Sequence, residues 1–517
     1  MTAAGWQSWD GRCLRWQLDA TDATGTQVEL WLDGVLFARL PGSQVAEIAF
    51  EIAPAGHAQM EFALRRVDGT FIAPTWRVCF GQAAVAGIDQ WTGELAAMQP
   101  LADAPLPDAQ TLAQRAPVSI IVPVHNCAQI VQRCIESVLR WSTGNARLVL
   151  IDDASDEPAI ADVLARYAGR QHITLLRNAR NLGYTRTCNL GIGAAGEGDI
   201  VLLNADTEVG PRWLERLHLT AYAHANTGTV TAVSDNAGAF SVPELERYCP
   251  IPARWSLVQT QRALLQQAGA CLPQLPTGNG FCMYIKRAML DRVGVLDADA
   301  FPCGYGEEND LCQRGERHGF RHVIAGDVFV RHVRSASFGE ARRLTLGASG
   351  MQVLRQRYPD YEEKVGATLR SFARRVLDYR VRRVYAAAQS ARAVLPRPRV
   401  LMVADRADAI QRMAARIPVE YETLALCVNE EGWQLLQTTQ SGMIVLDTCP
   451  AGCDWGQQLR QWLVRYAIEL VHALDGLPPE FGLAAASVGV GVVDRPDDTD
   501  IERLYHDAMR IGLAFRP

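Results

Sequence analysis

The chain has no surplus of positive charge: its 517 residues carry 51 Lys and Arg against 57 Asp and Glu, a formal net charge of -6. Wholesale binding of nucleic acid normally shows as a basic domain, so that class is excluded. A long apolar run is missing too. The longest weakly polar stretch, Phe481 to Val493, is too short and too rich in Gly and Ala to span a bilayer. Met1 to Trp6 lead into polar sequence without the basic and apolar segments of a secretory leader, so a cytoplasmic protein is expected. The 13 Cys show no paired zinc spacing, and Cys449 and Cys453 are the nearest pair. Such an odd, scattered set reads as reduced thiols.

What is present is an ordinary globular composition, 48% hydrophobic, long enough for roughly three domains. Residues 1–100 alternate apolar and polar positions. Val28 to Leu32, an Asp33-Gly34 turn and Val35 to Leu40 predict a hairpin, and the further short runs predict a β-sandwich accessory domain. Trp6, Trp9, Trp16 and Trp31 suit either a sugar-stacking platform or a core, the core being favoured because Trp is mostly buried. A Pro- and Ala-rich linker, 101–117, follows. Residues 118–365 alternate strands with helical periods, the pattern of a mainly parallel sheet. Residues 366–397 read as one basic helix carrying Arg370, Arg374, Arg375, Arg380, Arg382 and Arg383. A solvated connector is the default for such a charge run, and an anionic membrane surface is the alternative. Residues 398–517 open with the strand Val400 to Val403 and read as a Rossmann-like α/β domain.

Carboxylates sit where two of the central strands finish, in Ile151-Asp152-Asp153-Ala154-Ser155 and Leu203-Asn204-Ala205-Asp206-Thr207-Glu208. In an open α/β sheet, ligands bind outside the carboxyl ends of the strands, so these residues are expected to face a nucleotide, a metal or a sugar. The bland alternative is that Asp152 or Ser155 caps the next helix. Glu307, Glu308 and Asp310 form a second acidic cluster opening a predicted helix, where the helix dipole favours negative charge whatever the function.

Pro123-Val124-His125-Asn126, Ile151 to Ser155, Asn178 to Tyr184, Leu203 to Asp206 and Tyr305 to Cys312, in this order, resemble the motif series of the family 2 glycosyltransferases. The resemblance covers about Val118 to Gly339. It implies a GT-A fold, Rossmann-like with a mainly parallel sheet, and inverting transfer of a sugar from a nucleoside diphosphate. By the same resemblance Pro123, His125, Asn126, Asp152, Asn181, Gly183, Asn204, Ala205 and Asp206 bind the nucleotide. Asp206 and His332 would hold a divalent cation (Mn2+ or Mg2+), and Gly278, Asn279 and Asp310 border the acceptor, Asp310 alternatively bracing the loop. Glu308 is the first choice for the catalytic base and Glu307 the second, since an acceptor hydroxyl must lose its proton as it attacks. One position departs from the family: Asn204 stands where an acidic residue is usual, so cation affinity would be weak or supported by Glu208 or His332. A hydrogen-bonded strand-end His is the alternative for His332.

The implied donor is a UDP- or dTDP-linked sugar, and the implied acceptor a glycan or lipid-linked glycan in cell-surface polysaccharide synthesis. The last domain resembles the acceptor-side half of a GT-B glycosyltransferase without its nucleotide half. Two other classes compete. A non-catalytic glycan-binding or scaffolding protein would keep the fold and lose the chemistry, whereas a sugar-1-phosphate nucleotidyltransferase would want a Gly-rich loop with Arg and Lys where Pro123 to Asn126 stand.

Overall fold

A computed structural model describes residues 5–9, 13–18, 27–42, 45–49, 59–72, 75–79, 106–107, 117–142, 146–268, 271–302, 304–333, 340–390, 394–404, 407–429, 432–439, 442–474, 479–494, 501 and 505. The expected linker 101–117 therefore lies almost wholly outside the described residues.

At the N-terminal end, β1 (Gly5–Trp9), β2 (Cys13–Gln17) and β5 (Val45–Ala49) form one antiparallel sheet. A second, in the order β4-β3-β6-β7, is built from β3 (Gln27–Leu32), β4 (Val35–Pro41), β6 (Gln59–Arg66) and β7 (Trp76–Cys79). Asp33 and Gly34 both take positive φ, 47° and 75°, which is what a two-residue hairpin turn demands. Leu14 and Trp16 of the first sheet and Leu30, Leu32, Phe62 and Leu64 of the second are buried in one core. Trp16 is thus core, and Trp31 is covered by the Arg65 guanidinium, 4.5 Å from its ring centre. The side chains of Trp6 and Trp9 lie outside the described residues.

The central unit is a mixed α/β layer with a curled, mainly parallel sheet. Its strands are β8 (Val118–Val124), β9 (Ala146–Asp152), β10 (Ile173–Arg177), β11 (Ile200–Leu203), β12 (Thr207–Glu208), β13 (Thr227–Ser234), β14 (Cys282–Ile285) and β15 (Arg321–His332). They stand in the order β10-β9-β8-β11-β14-β13-β15-β12, with β14 antiparallel to both neighbours. β8, β9 and β11 are buried on both faces almost throughout, which explains their Val, Ile and Leu runs, whereas β10, at the edge of the sheet, is largely exposed. Pro123 is tolerated because β11 pairs only with Ser119 to Ile121, leaving the end of β8 with one neighbour.

The stretch read as one basic helix is two. Helix Tyr361–Leu369 ends at Arg370, and Ser371 caps a new helix, Phe372–Gln389, by accepting from the Arg374 N–H. This second helix is neither solvated nor laid on a surface. Arg374 is 1% and Arg380 7% exposed. Tyr379 donates to Leu32 O, Arg382 to Leu36 O and Arg380 to Ala268 O, while Val376, Leu377 and Val384 join one continuous core running from the N-terminal sandwich to β15. Charge count suggested a surface, but the guanidinium groups of Arg374, Arg380 and Arg382 reach internal carbonyls. No helix among the described residues is long and apolar enough to cross a membrane.

The last unit has β16 (Arg399–Val403), β17 (Glu422–Asn429), β18 (Gly432–Thr439), β19 (Gly442–Pro450), β20 (Ile468–Ala473) and β21 (Gly491–Asp494), in the order β19-β18-β17-β16-β20-β21. The four strands β17-β16-β20-β21 are parallel, as a Rossmann-like sheet requires, but β18 and β19 extend it as an antiparallel meander. Cys449, at the end of β19, is bonded to Cys453, so the reading of all cysteines as reduced thiols is corrected at this pair. The unit docks behind the central sheet: Arg262 pairs with Glu469 at 2.8 Å, and Arg212 donates to the carbonyls of Val488 and Gly489. Arg212 turns left-handed (φ 59°) to do so, and the helix that follows starts at Trp213.

Candidate functional site

The first group of expected site residues is assembled from loops that follow β8, β9 and β10. Asp152, 2% exposed, accepts from the Ser155 N–H at 2.9 Å through Oδ1. Its Oδ2 lies 3.0 Å from Arg177 Nη1 but off the line of a hydrogen bond, so this buried oxygen still has an acceptor position to offer. Neither Asp152 nor Ser155 caps the next helix, Pro158–Ala165, whose N-cap is Glu157. Ser155 Oγ instead accepts from the Asn126 N–H at 2.9 Å. Asn126, at φ 61°, accepts from the N–H groups of Asp156 and Glu157 through Oδ1, and thereby ties the first loop to the second. His125 Nδ1 lies 3.2 Å from Asp153 O, with the Asn181 amide 3.4 Å away.

Two members of this group escaped the sequence reading. Asp153 accepts from Asn178 Nδ2 and from the N–H groups of Leu182 and Gly183 at 2.7, 2.8 and 3.0 Å, fixing the turn that Gly183 makes at φ 83°. Arg177 is placed beside Asp152 by the parallel register of β10 on β9. The doubled Asp was a usable signal for the first; nothing local marked the second.

The central pair comes from β12 and β15. Thr207 pairs with His332 across this short antiparallel ladder, which carries the imidazole to Asp206: His332 Nε2 and Asp206 Oδ1 are 3.2 Å apart. His332 Nδ1 lies 3.0 Å from Asn236 O and so bears the hydrogen, leaving Nε2 to present its lone pair to a carboxylate. Two facing acceptors need a proton or a cation between them. Asn204 Oδ1 is buried with no hydrogen-bond partner. An imidazole nitrogen, a carboxylate and a spare amide oxygen suit a divalent cation of the Mn2+ type, with the remaining positions left for phosphate oxygens. Among the described residues no three His, Cys, Asp or Glu cluster as ligands. Glu208 does not supply the third: its carboxylate is turned toward Arg133 and Arg331, at 3.5 and 3.7 Å.

The acidic helix Glu307–Arg317 separates its three carboxylates by environment. Asp310 has no exposed surface and is held by Arg314, Arg357 and the Tyr358 hydroxyl, each at 2.8 Å, so it cannot touch an acceptor; it braces the helix. Glu307 is also buried, accepting from the Gly306 N–H, and burial, followed by the charge of Glu308, pushes its carboxyl well above the usual carboxylate range. It is therefore a proton holder. Glu308 is only half-buried and accepts from the Gly280 N–H at 2.9 Å.

Gly280 has to be glycine. A Cβ there would stand 2.8 Å from Glu308 Oε1 and closer still to the Tyr184 hydroxyl. The turn that carries it is tied down: Thr277 donates to Asn309 and Asn279 accepts from the Phe281 N–H, while the neighbouring Gly278 packs on Met283. The same turn reaches the His332 pair, because Phe281 stacks on the His332 ring at 5.4 Å and its carbonyl accepts from the Asn204 N–H at 3.0 Å. Ala205 lies between Asn204 and Asp206, partly buried.

Residues 119–294 match the family model described as Glycosyl transferase family 2. This segment is a family 2 glycosyltransferase domain. The match stops before Glu307, so the acidic helix and His332 belong to the site by geometry alone. An uncharacterized glycosyltransferase of Haemophilus influenzae is 25% identical over 100 residues, 19% of this chain and 31% of that protein. Glycosyltransferase GlyG of Streptococcus pneumoniae is 25% identical over 103 residues, 20% and 34% of the two chains. The chain thus spans about a third of the length of these relatives. Among solved structures, the mannosyltransferase PcManGT from Pyrobaculum calidifontis, in complex with GDP-Man and Mn2+, is similar with a TM-score of 0.37 and 18% identity, over 60% of this chain and 82% of that one.

The buried Glu307 gives a prediction of its own. A carboxyl whose folded pKa is raised holds its proton in the native state after the unfolded chain has lost it. Its share of stability is therefore full below the ordinary value of 4.5 and is lost as pH rises above it. Glu307→Gln, which mimics the protonated form, removes that loss. The melting temperature of the variant should match the parent at about pH 5 and exceed it increasingly toward about pH 8. A constant difference across that range would contradict a protonated Glu307.

Proposed function

We propose that the chain is an inverting glycosyltransferase that moves a sugar from a uridine- or thymidine-diphosphate donor to a hydroxyl of a glycan or lipid-linked acceptor in cell-surface polysaccharide synthesis. The observation that carries this reading is that one turn, Asn279 to Phe281, touches both chemical groups: its Gly280 N–H orients Glu308, and its Phe281 ring and carbonyl fix His332 and Asn204. In-line displacement at an anomeric carbon needs a base on one side and charge stabilisation of the leaving diphosphate on the other. Glu308 takes the acceptor's proton as the new C–O bond forms, and the old bond's electron pair leaves with the diphosphate. Asp152 Oδ2 suits the imide N–H of uracil or thymine, with His125 and Asn181 beside the base. A divalent cation held by Asp206, His332 and the Asn204 amide would supply positive charge over the two phosphates.

Titration calorimetry with uridine diphosphate tests the cation. Affinity should be at least about tenfold higher with Mn2+ than with chelator, and Asp206→Ala should remove the difference. Equal affinity in both would contradict the role given to Asp206 and His332.

A further inference from the structure

We propose that Arg374, on the helix that joins the domains, is a positioning residue for His332, so that the accessory architecture fixes the geometry of the cation pair. This rests on the reading of Asp206 and His332 as that pair. The segment Asp235–Ser241 is the connection. At one end it holds the histidine: Asp235 Oδ1 accepts from the His332 N–H at 2.8 Å, and Asn236 O takes the Nδ1 hydrogen at 3.0 Å. At the other end it is gripped by Arg374, whose Nη1 donates to Ala239 O at 2.6 Å and whose Nη2 donates to Ser241 O at 2.5 Å.

Between these ends the segment folds back on itself. Ser241 Oγ accepts from the Ala237 N–H, Val242 donates to Ser234 O, and the turn Gly238–Phe240 closes with Phe240 in the core. The guanidinium is itself fixed: it is 1% exposed and bonded through Nε and Nη2 to Asp378, one turn along the same helix. That helix is anchored in turn to the N-terminal sandwich by Tyr379 and Arg382. A bidentate guanidinium on two carbonyls specifies direction as well as attraction, which a single ammonium cannot do. Hydrogen-bond partners behind a metal-binding histidine set its tautomer and ring direction, and their loss commonly costs 10–100-fold in metal affinity.

The test is the Mn2+-dependent gain in uridine diphosphate affinity, measured by calorimetry on the full chain. The variants are Arg374→Lys, which keeps a charge for Asp378 but reaches one carbonyl, and Arg374→Met combined with Asp378→Asn, which leaves no buried charge unpaired. Arg382→Met, which loosens the sandwich and releases Glu244 just beyond residues 235–241 while leaving the Arg374 contacts in place, is the comparison. Both Arg374 variants should lose about tenfold or more of the Mn2+-dependent gain while chelator-only affinity stays unchanged, and Arg382→Met should keep the gain. An undiminished gain in Arg374→Lys and in the double variant would overturn the proposal, as would an equal loss in Arg382→Met. If the parent shows no gain, or His332→Ala leaves it intact, it is the assignment of the cation pair that fails.

Discussion

Glu308→Gln lowers sugar transfer by roughly 10²-fold or more, about 2.7 kcal/mol in the barrier, while nucleoside diphosphate affinity stays near that of the parent. Gln still accepts from the Gly280 N–H, so the turn and the helix start keep their shape. Only the proton acceptor is lost. Glu307→Gln should retain most of the transfer, because the buried carboxyl it replaces already carries its proton. Steady-state rates on the two variants, with nucleotide binding measured on both, separate the roles. Loss in Glu307→Gln but not in Glu308→Gln would move the base to Glu307, and loss in neither would make the acidic cluster a brace.

The second large effect is on stability. Arg216 and Asp327 are paired with side chains 6% and 2% exposed, and Arg216 Nη1 also donates to Val464 O in the C-terminal unit at 3.1 Å. Asp327 Oδ1 already lacks a hydrogen-bond partner. Arg216→Met therefore strands a buried carboxylate and releases a contact between two units, and should cost about 3–5 kcal/mol. Leu219, one turn along on the same helix, sits in the core of the C-terminal unit, so the two should loosen together. The midpoint of urea unfolding reads this directly. An unshifted midpoint would mean that the pair stabilises nothing and that the C-terminal unit is docked by other contacts.

The candidate positions were legible because acidic residues and strand ends coincide in the sequence. Asp152, Asp206 and Glu308 each follow a recognisable run, and the alternation of Leu and Val strands with helices gave the mainly parallel sheet. Local pattern misled where partners are distant. Asp310 shares its helix turn with Glu308, but two arginines and a tyrosine from elsewhere in the fold enclose it. The arginines of Phe372–Gln389 looked like a solvated face because the carbonyls that receive them lie more than a hundred residues away. Asn126, expected at the nucleotide, gives its amide oxygen to two backbone N–H groups thirty and thirty-one residues on, so any contact with a nucleotide falls to its Nδ2. Cys449 and Cys453 stood out only as the nearest pair, a spacing too common to predict a bond, and the meander of β18 and β19 left no mark that composition or periodicity could show.

The most direct measurement of the central claim is the anomeric configuration of the product. The protein would be incubated with Mn2+, an acceptor glycan and a panel of α-linked uridine- and thymidine-diphosphate sugars. Nucleoside diphosphate release selects the donor, and proton NMR of the new glycosidic linkage reads its configuration. A β-linked product, formed by the parent and lost in Glu308→Gln, is the predicted result. An α-linked product, or tight nucleotide binding with no release from any donor, would contradict an inverting transferase that uses Glu308 as its base.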